Sequence, residues 1–349
     1  MIQGKSKTEA NYRAVLLDSS SSLKEFSMDR RKYYKKYILG EDVAEKENLA
    51  ANMGRIVETL LMEPEEFDNR FYLSALASAP TGLMLDFVEA LYRHSANATD
   101  EFGNITREFE DIARDAYIDS GFKIKFEAVL SKFISSDNEL YYQEIREIRS
   151  KGLTVVTTKE IANGEKIVEE LKNNFATADV VNLVNSSRYE VRNQFQVEGY
   201  FIDGHQFKSM IDKIVIDHEK KTLQIYDLKC TWSVDNFLEE YYLYRRAYIQ
   251  ALLYWKAGVY ITQNEEELDN YKVEFPKFIV CDSTNYMNPL IYTLDDQDME
   301  DAYIGFEYKG RNYPGVLKLI KDLKWAQENQ VWNISRENFI NKGQVKITG

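Results

Sequence analysis

An α/β protein, with a mixed β-sheet core flanked by helices and carrying a helical insertion, is the fold class this sequence predicts, and three observations carry it. Residues 206–230, QFKSMIDKIVIDHEKKTLQIYDLKC, contain two apolar-alternating runs, Met210 to Ile216 and Thr222 to Leu228, on either side of the polar Asp217-His218-Glu219-Lys220-Lys221. Alternation of period two marks a strand, and a polar interval between two such runs marks a hairpin turn. Upstream and downstream, apolar residues recur three and four apart, the helical period, and Val273 to Cys281, VEFPKFIVC, returns to strand composition. Strands bracketed by helices in this way are covered on their faces by those helices.

Taken in order, residues 8 to 40 read as helical, with Ser20 to Ser22 offering N-cap hydroxyls ahead of Leu23. A second helix runs from about Glu45 to Met62 and Pro64 marks its end, because proline lacks the N–H a helix interior needs. Residues 83 to 150 carry long helical patterns such as Met84 to Tyr92 and Ile105 to Tyr117, and Ile161 to Phe175 repeats the spacing. Strands dominate from Tyr189 to Leu228, helix returns from Val234 to Ala257, and a strand covers Val273 to Cys281. An acidic helix start, Asp295 to Asp301, leads to a last helix from Val316 to Gln330. Five prolines and the lack of a Gly/Ser-rich run argue against a flexible linker and favour one elaborated domain. Its parts are an N-terminal helical part at 1–75, an α-helical insertion at 76–150 and a core with C-terminal helices at 151–349.

Composition narrows the setting. No apolar run reaches the roughly 18 residues a membrane span requires, and the start, MIQGKSKTEANYR, has no signal-peptide core. A soluble, cytoplasmic protein without a membrane partner is expected. The two cysteines, Cys230 and Cys281, lack C-x-x-C spacing and offer neither a zinc site nor, with only two thiolates, an iron–sulfur cluster. No G-x-x-x-x-G-K-[ST] loop occurs, so an ATP-driven motor is disfavoured. The net charge of −13 does not suit a protein that coats nucleic acid nonspecifically, but the charge is uneven. Arg30, Arg31, Lys32, Lys35 and Lys36 cluster within Met28 to Gly40, and Arg245 and Arg246 precede a helical face; these are candidate phosphate contacts. Lys318, Lys321 and Lys324 recur at near-helical spacing and read better as a solvated face.

The chemistry-bearing feature is the hairpin. Folding it brings Asp212 near Asp227, with Lys229 on the same face as Asp227, since side-chain direction repeats every two residues. Two buried carboxylates repel unless a cation lies between them, and a hard divalent ion such as Mg²⁺ takes oxygen ligands of this kind. The same residues could instead form an ion pair on a solvated face, worth roughly 0 to 1 kcal/mol. Against that, Asp227 and Lys229 interrupt the apolar Ile225, Tyr226 and Leu228.

In that order, Asp212, Asp227 and Lys229 resemble the metal site of the PD-(D/E)xK nuclease superfamily, in its RecB, RecE and lambda-type exonuclease branch. Tyr248-Ile249-Gln250-Ala251-Leu252-Leu253-Tyr254 is similar to the Q-x-x-x-Y motif of that branch, and residues four apart share a helical face. Ser20 to Phe26, Asn52 to Leu61 and Glu63 to Phe67 resemble the opening of RecE-type enzymes, with Glu58 where many have His. Gln196 to Tyr200 and Lys208 resemble the lead into the first acidic strand, and Lys208 joins the candidate phosphate contacts. The likeness covers about residues 18 to 72 and 155 to 330 and leaves the segment between without a counterpart.

This resemblance implies a restriction-endonuclease-like core. It implies that Glu58, Asp212, Asp227 and the Leu228 carbonyl hold Mg²⁺, for which Mn²⁺ substitutes, that Lys229 acts on the attacking water, and that Gln250 and Tyr254 support it. The implied activity is 5′-to-3′ exonuclease digestion of duplex DNA ends in phage-type recombination, inside a bacterial cell or phage-infected host. A ring-like trimer or tetramer and a single-strand annealing partner come with the resemblance alone. A structure-specific endonuclease or resolvase on the same fold, or a catalytically silent DNA-binding relative, are the alternatives, since fold does not fix substrate.

Overall fold

The computed structural model describes residues 9–41, 49–76, 78–100 and 102–345. The chain is mixed α/β and separates into two compact units, one of Ala44–Glu169 with Ser283–Asn285, the other of Met1–Val43, Glu170–Asp282 and Tyr286–Gly349. The helix-rich unit is wider than the insertion expected at 76–150. Its flanks are tied together by a two-stranded parallel pair, β1 (Phe71–Leu73) and β2 (Thr154–Val156), with Phe71 opposite Thr154. The helices Leu83–Asn97, Phe109–Ser120, Phe126–Ile134 and Asp137–Arg149 pack around Phe87, Leu91, Ile112, Val129, Phe133 and Ile145. The helix expected from residue 45 is present as Leu49–Met62; residues 45–48 lie outside the described ones. Pro64 follows it at the start of a 3₁₀ turn.

The larger unit is built on a six-stranded mixed sheet. Its strands are β3 (Tyr189–Ile202), β4 (His205–Asp217), β5 (Thr222–Thr231), β6 (Lys272–Val273), β7 (Lys277–Asp282) and β8 (Leu290–Tyr292), in the order β3-β4-β5-β7-β8 with β6 beside β5. The expected hairpin is β4–β5, antiparallel, with Lys213 opposite Tyr226 and Asp217 opposite Thr222. Asp217 closes its turn by accepting the N–H groups of Glu219 and Lys220, both at 3.0 Å, while Arg188 holds the same carboxylate at 2.8 Å. β5 runs parallel to β7, and parallel neighbours need a crossover. The helix Ala247–Asn264 lies within that crossover.

Differences from the sequence pattern have local causes. The helical stretch expected over 8 to 40, with its cap at Ser20 to Ser22, forms the pieces Glu9–Ala14, Ser20–Met28 and Arg30–Tyr33. Ser19 caps the second piece through the Ser22 N–H, and Asp29 captures the N–H groups of Arg31 and Lys32, so each side chain starts a new helix. The helix expected over 234 to 257 is broken at Arg246, whose φ of 56° is left-handed, and restarts at Ala247. The strand expected over 273 to 281 is split into β6 and β7 around Pro276, which has no N–H to give the ladder. A separate hairpin of β9 (Gly305–Tyr308) and β10 (Arg311–Pro314) stands between the two C-terminal helices Asp296–Ile304 and Val316–Asn329. No helix among the described residues is long and apolar enough to cross a membrane.

The 247–264 helix organises the unit because it is buried on nearly all sides, from Tyr248, Ile249 and Leu252 to Ala257 and Ile261. Gly258 lets it settle onto the sheet: a Cβ there would stand 2.9 Å from Val273 Cγ1 and 3.0 Å from Ile225 Cδ1. A helix this enclosed can carry a polar side chain only where partners await it.

Arg188 and the turn N–H groups hold the Asp217 carboxyl down to about 2, against the opposing effect of burial. A depressed folded-state pKa gives stability that is complete above the ordinary carboxylate value and is lost as pH falls through the folded one. We therefore expect Asp217→Asn to lower the urea midpoint at pH 5, and the gap from wild type to close as pH approaches about 2. Urea titrations of both proteins across that range check it.

Candidate active site

Continuing the β4–β5 register one step past Lys213 and Tyr226 sets Asp212 against Asp227, at the point where backbone pairing between the two strands has ended. There the Asp212 Oδ2 accepts the Leu228 N–H at 2.8 Å. Asp227, 1 % exposed, accepts a hydrogen bond on Oδ1 from Gln250 Nε2 at 2.8 Å and forms an ion pair through Oδ2 with the Lys229 ammonium. Lys229 also approaches the Leu228 carbonyl at 3.5 Å. The hairpin thus gathers Asp212, Asp227, Leu228 and Lys229, as the period-two argument requires.

Gln250 and Tyr254, one turn apart on the central helix, are both buried. Gln250 Nε2 donates to Asp227 and to the Tyr254 hydroxyl, the latter at 2.9 Å, and Tyr254 in turn donates to the Met210 carbonyl at 2.6 Å. Burial, followed by the negative charges of Asp212 and Asp227, raises the Tyr254 pKa well above its ordinary value. It therefore stays a neutral donor. Gln250 Oε1 accepts from Lys24 Nζ at 2.7 Å. The amide can point only one way: reversed, its NH₂ would face an ammonium and its oxygen a carboxylate.

Lys24 is the member of this cluster that the sequence pattern does not single out. It lies within the Ser20 to Phe26 stretch that resembles RecE-type openings, but beside Leu23 and Phe26 it looks like any lysine flanking an apolar stripe. Its pKa is brought down to about 7, first by burial and then by repulsion from Lys229, with Asp227 opposing, Arg245 adding repulsion and Asp212 opposing. The helix bearing it is held by Asp18. That carboxylate accepts from Ser22 Oγ at 2.8 Å and Tyr33 OH at 3.0 Å, and its other oxygen lies 2.8 Å from His205 Nε2.

The remaining assigned residues divide by what their charges already do. Lys208, expected at phosphate, is buried, and its ammonium donates to the carbonyls of Tyr12, Arg13 and Val15 at 2.8 to 3.0 Å, fastening the N-terminal segment to β4. Arg30 pairs with Asp322 at 2.9 Å and Lys32 with Glu25 at 2.9 Å. Lys36 lies over the Tyr37 ring. Arg31 and Lys35 are exposed. Arg245 is exposed above the Tyr241 ring, and Arg246 is half-buried with Nη1 lacking a hydrogen-bond partner. Lys318 is engaged by Asp322 and Glu337, and Lys324 by the carbonyls of Asp203 and Gly204. Glu58 is half-buried on the Leu49–Met62 helix of the other unit.

A divalent cation is tested by its donors. Asp212, Asp227 and the Leu228 carbonyl supply hard oxygens, and Mg²⁺ is commonly held by one or two carboxylates with water and phosphate completing its shell. Asp227 Oδ2 is buried and accepts no directed hydrogen bond, although the Lys229 ammonium lies against it. An oxygen in that condition suits an ion. Among the described residues, no group of three or more His, Cys, Asp or Glu side chains converges to hold a metal, so these residues fit a two-carboxylate site.

No protein-family model matches the chain, and no curated protein matches it in sequence. Among solved structures it is similar to a protein from Eubacterium rectale named "Putative exonuclease", at 12% identity and a TM-score of 0.47, over 99% of this chain and 96% of that one.

The Gln250 amide satisfies three buried or half-buried groups at once. Gln250→Leu keeps the volume and strands all three, so we expect a loss of about 1–3 kcal/mol in unfolding free energy, read from urea denaturation. Lys24→Met in the same background should cost less than it does in wild type, because its acceptor is already gone.

Proposed function

We propose that this protein is a metal-dependent deoxyribonuclease that hydrolyses phosphodiester bonds from duplex DNA ends, with Mg²⁺ or Mn²⁺ bound at Asp212, Asp227 and the Leu228 carbonyl. The observation that carries the reading is the environment of Asp227. It is a buried carboxylate with Lys229 on one oxygen, Gln250 on the other and Asp212 opposite, where the β4–β5 ladder has ended while β5 goes on pairing with β7. The order of Asp212, Asp227, Lys229, Gln250 and Tyr254 supports it further through its resemblance to the PD-(D/E)xK superfamily. Exonuclease polarity of 5′ to 3′, Glu58 as a further ligand, a ring-like oligomer and an annealing partner belong to this proposal by that resemblance.

When bound, the cation lowers the pKa of a coordinated water and offsets the charge that grows on the phosphate. Lys229, placed by its ion pair with Asp227, orients the attacking water as an ammonium, and it can take that water's proton only as the neutral amine. Gln250 fixes the carboxylate plane of Asp227, and Tyr254 secures Gln250 to the β4 backbone at Met210. Such fixing matters because ligand geometry set in advance needs no reorganisation during reaction. Arg31, Lys35 and Arg245, whose charges are exposed, are the proposed contacts to the DNA backbone.

A second reading has its own observation. Because no third acidic side chain joins the two aspartates among the described residues, a DNA-binding relative without turnover fits the same site. End-labelled linear duplex and covalently closed plasmid, incubated with Mg²⁺ or Mn²⁺, separate the possibilities. The proposal expects progressive loss of the linear DNA and an intact circle; cutting of the circle points to an endonuclease, and binding without cleavage to the silent relative. Lys229→Ala should lose cleavage by at least a hundredfold, the size of a general acid–base contribution, while retaining metal by calorimetry. Asp227→Ala should lose both. Cleavage that survives either substitution removes this site from the mechanism.

A further inference from the structure

Four lysines of the larger unit show how such charges are answered. Lys229 faces a carboxylate, Lys208 three carbonyls, Lys32 a glutamate and Lys318 two acids. Lys24 differs. Its ammonium has one protein acceptor, the neutral Gln250 oxygen, and among the described residues no carboxylate lies within ion-pairing distance of it. An ammonium carries three protons, so two have no protein acceptor. Lys24 is half-buried, and withdrawing a cation from water even in part is costly unless something pairs with it.

The local charge balance indicates what that something is. The charges bearing on Lys24 are those of Lys229 and Arg245 on one side and Asp227 and Asp212 on the other. Metal bound at the aspartates would take up their charge and leave the Lys24 ammonium with only the neutral Gln250 oxygen to answer it. An anion supplies the missing counter-charge, and tetrahedral oxyanions take hydrogen bonds from lysine as a point charge.

We propose that Lys24 is a substrate-binding cation whose ammonium contacts a non-bridging oxygen of the phosphodiester at the Asp212–Asp227 centre, with Gln250 fixing its direction. This deepens the nuclease reading and rests on it. Gln250 thereby links the two ends of the site: the amide that sets the Asp227 carboxylate also aims the cation at the phosphate. A proton follows from the same arrangement. With a pKa near 7, Lys24 is largely neutral in the free protein under mildly alkaline conditions. An arriving phosphate supplies the counter-charge, and the lysine takes one proton from solvent as the complex forms. Tyr254, also facing the site, keeps its proton throughout because its pKa is raised, and Gln250 does not titrate.

The test is duplex affinity as a function of pH, measured on the full chain by fluorescence anisotropy with a fluorescein-labelled blunt duplex and Ca²⁺ in place of Mg²⁺. Wild type is expected to bind at least about tenfold more weakly at pH 8.5 than at pH 6, because a lysine titrating near 7 in the free protein loses most of its charge over that interval. Lys24→Arg, which cannot lose its charge, should bind tightly at both values, and Lys24→Met weakly at both. A merely structural lysine would leave the pH slope in place. Wild-type slope in Lys24→Arg, or wild-type affinity of Lys24→Met at pH 6, overturns the inference; if Lys24→Met does not fold, the arginine variant decides alone. The two proposals fail separately. Wild-type cleavage in Mg²⁺ with an unchanged slope in the variants removes only the Lys24 assignment, and Lys24-dependent binding without cleavage in Mg²⁺ or Mn²⁺ removes only the nuclease activity.

Discussion

The Gln250 carboxamide is the contact on which the arrangement of the site depends. It is a neutral group placed between opposite charges, donating to Asp227 and accepting from Lys24, with its second N–H taken by Tyr254. A charged residue at this position would repel one partner or the other. An apolar one would leave a buried carboxylate and a desolvated ammonium unanswered, the costliest kind of defect in a protein interior. Through this one amide the Ser20–Met28 helix, the central helix and β5 share a fixed point.

That fixed point is held by packing rather than by the polar groups alone. The central helix is buried nearly all round, and Gly258 allows it to sit against Ile225 and Val273 without the obstruction of a side chain. Two turns earlier on the same helix, Gln250 reaches the end of the β4–β5 ladder, where strand pairing has stopped after Lys213 and Tyr226. Ending the ladder there frees polar groups, and the Asp212 carboxylate takes up the Leu228 N–H. The same N-terminal segment that carries Lys24 is fastened by Lys208 and by Asp18, so its position is set on both sides.

What could be read from the sequence is what depends on local periodicity. Period two in the hairpin places Asp212, Asp227 and Lys229 together, and a spacing of four places Gln250 beside Tyr254; both relations are internal to one hairpin or one helix. Lys24 was hidden because its meaning arises from a contact to a residue 226 positions away. Lys208 and Arg30 illustrate the converse. A basic residue in a sequence shows a charge but not whether that charge is already spent, and here one caps three carbonyls and the other pairs with Asp322. The helix breaks at Asp29 and Arg246 were equally hard to see, since an apolar pattern continues across them while a capping carboxylate and a left-handed residue interrupt the backbone.

The acidity of the chain and the lysines beside the Asp227 carboxylate act at different distances. A net charge of −13 opposes a polyanion at long range, but screening confines that opposition to about 8 Å at physiological salt. Inside that distance the groups close at hand decide, and Lys24, held to Asp227 through the Gln250 amide, and Lys229, paired with Asp227, set two cations beside the carboxylates. A protein so charged would gain little by lying along a duplex, where each added contact meets its own acidic surface. On the proposed reading it gains most where a phosphate enters deeply enough to meet Lys24. Binding of that kind, confined to one phosphate site, would favour a substrate that can present a strand there, and an end or an unpaired strand does so more readily than the middle of a closed duplex.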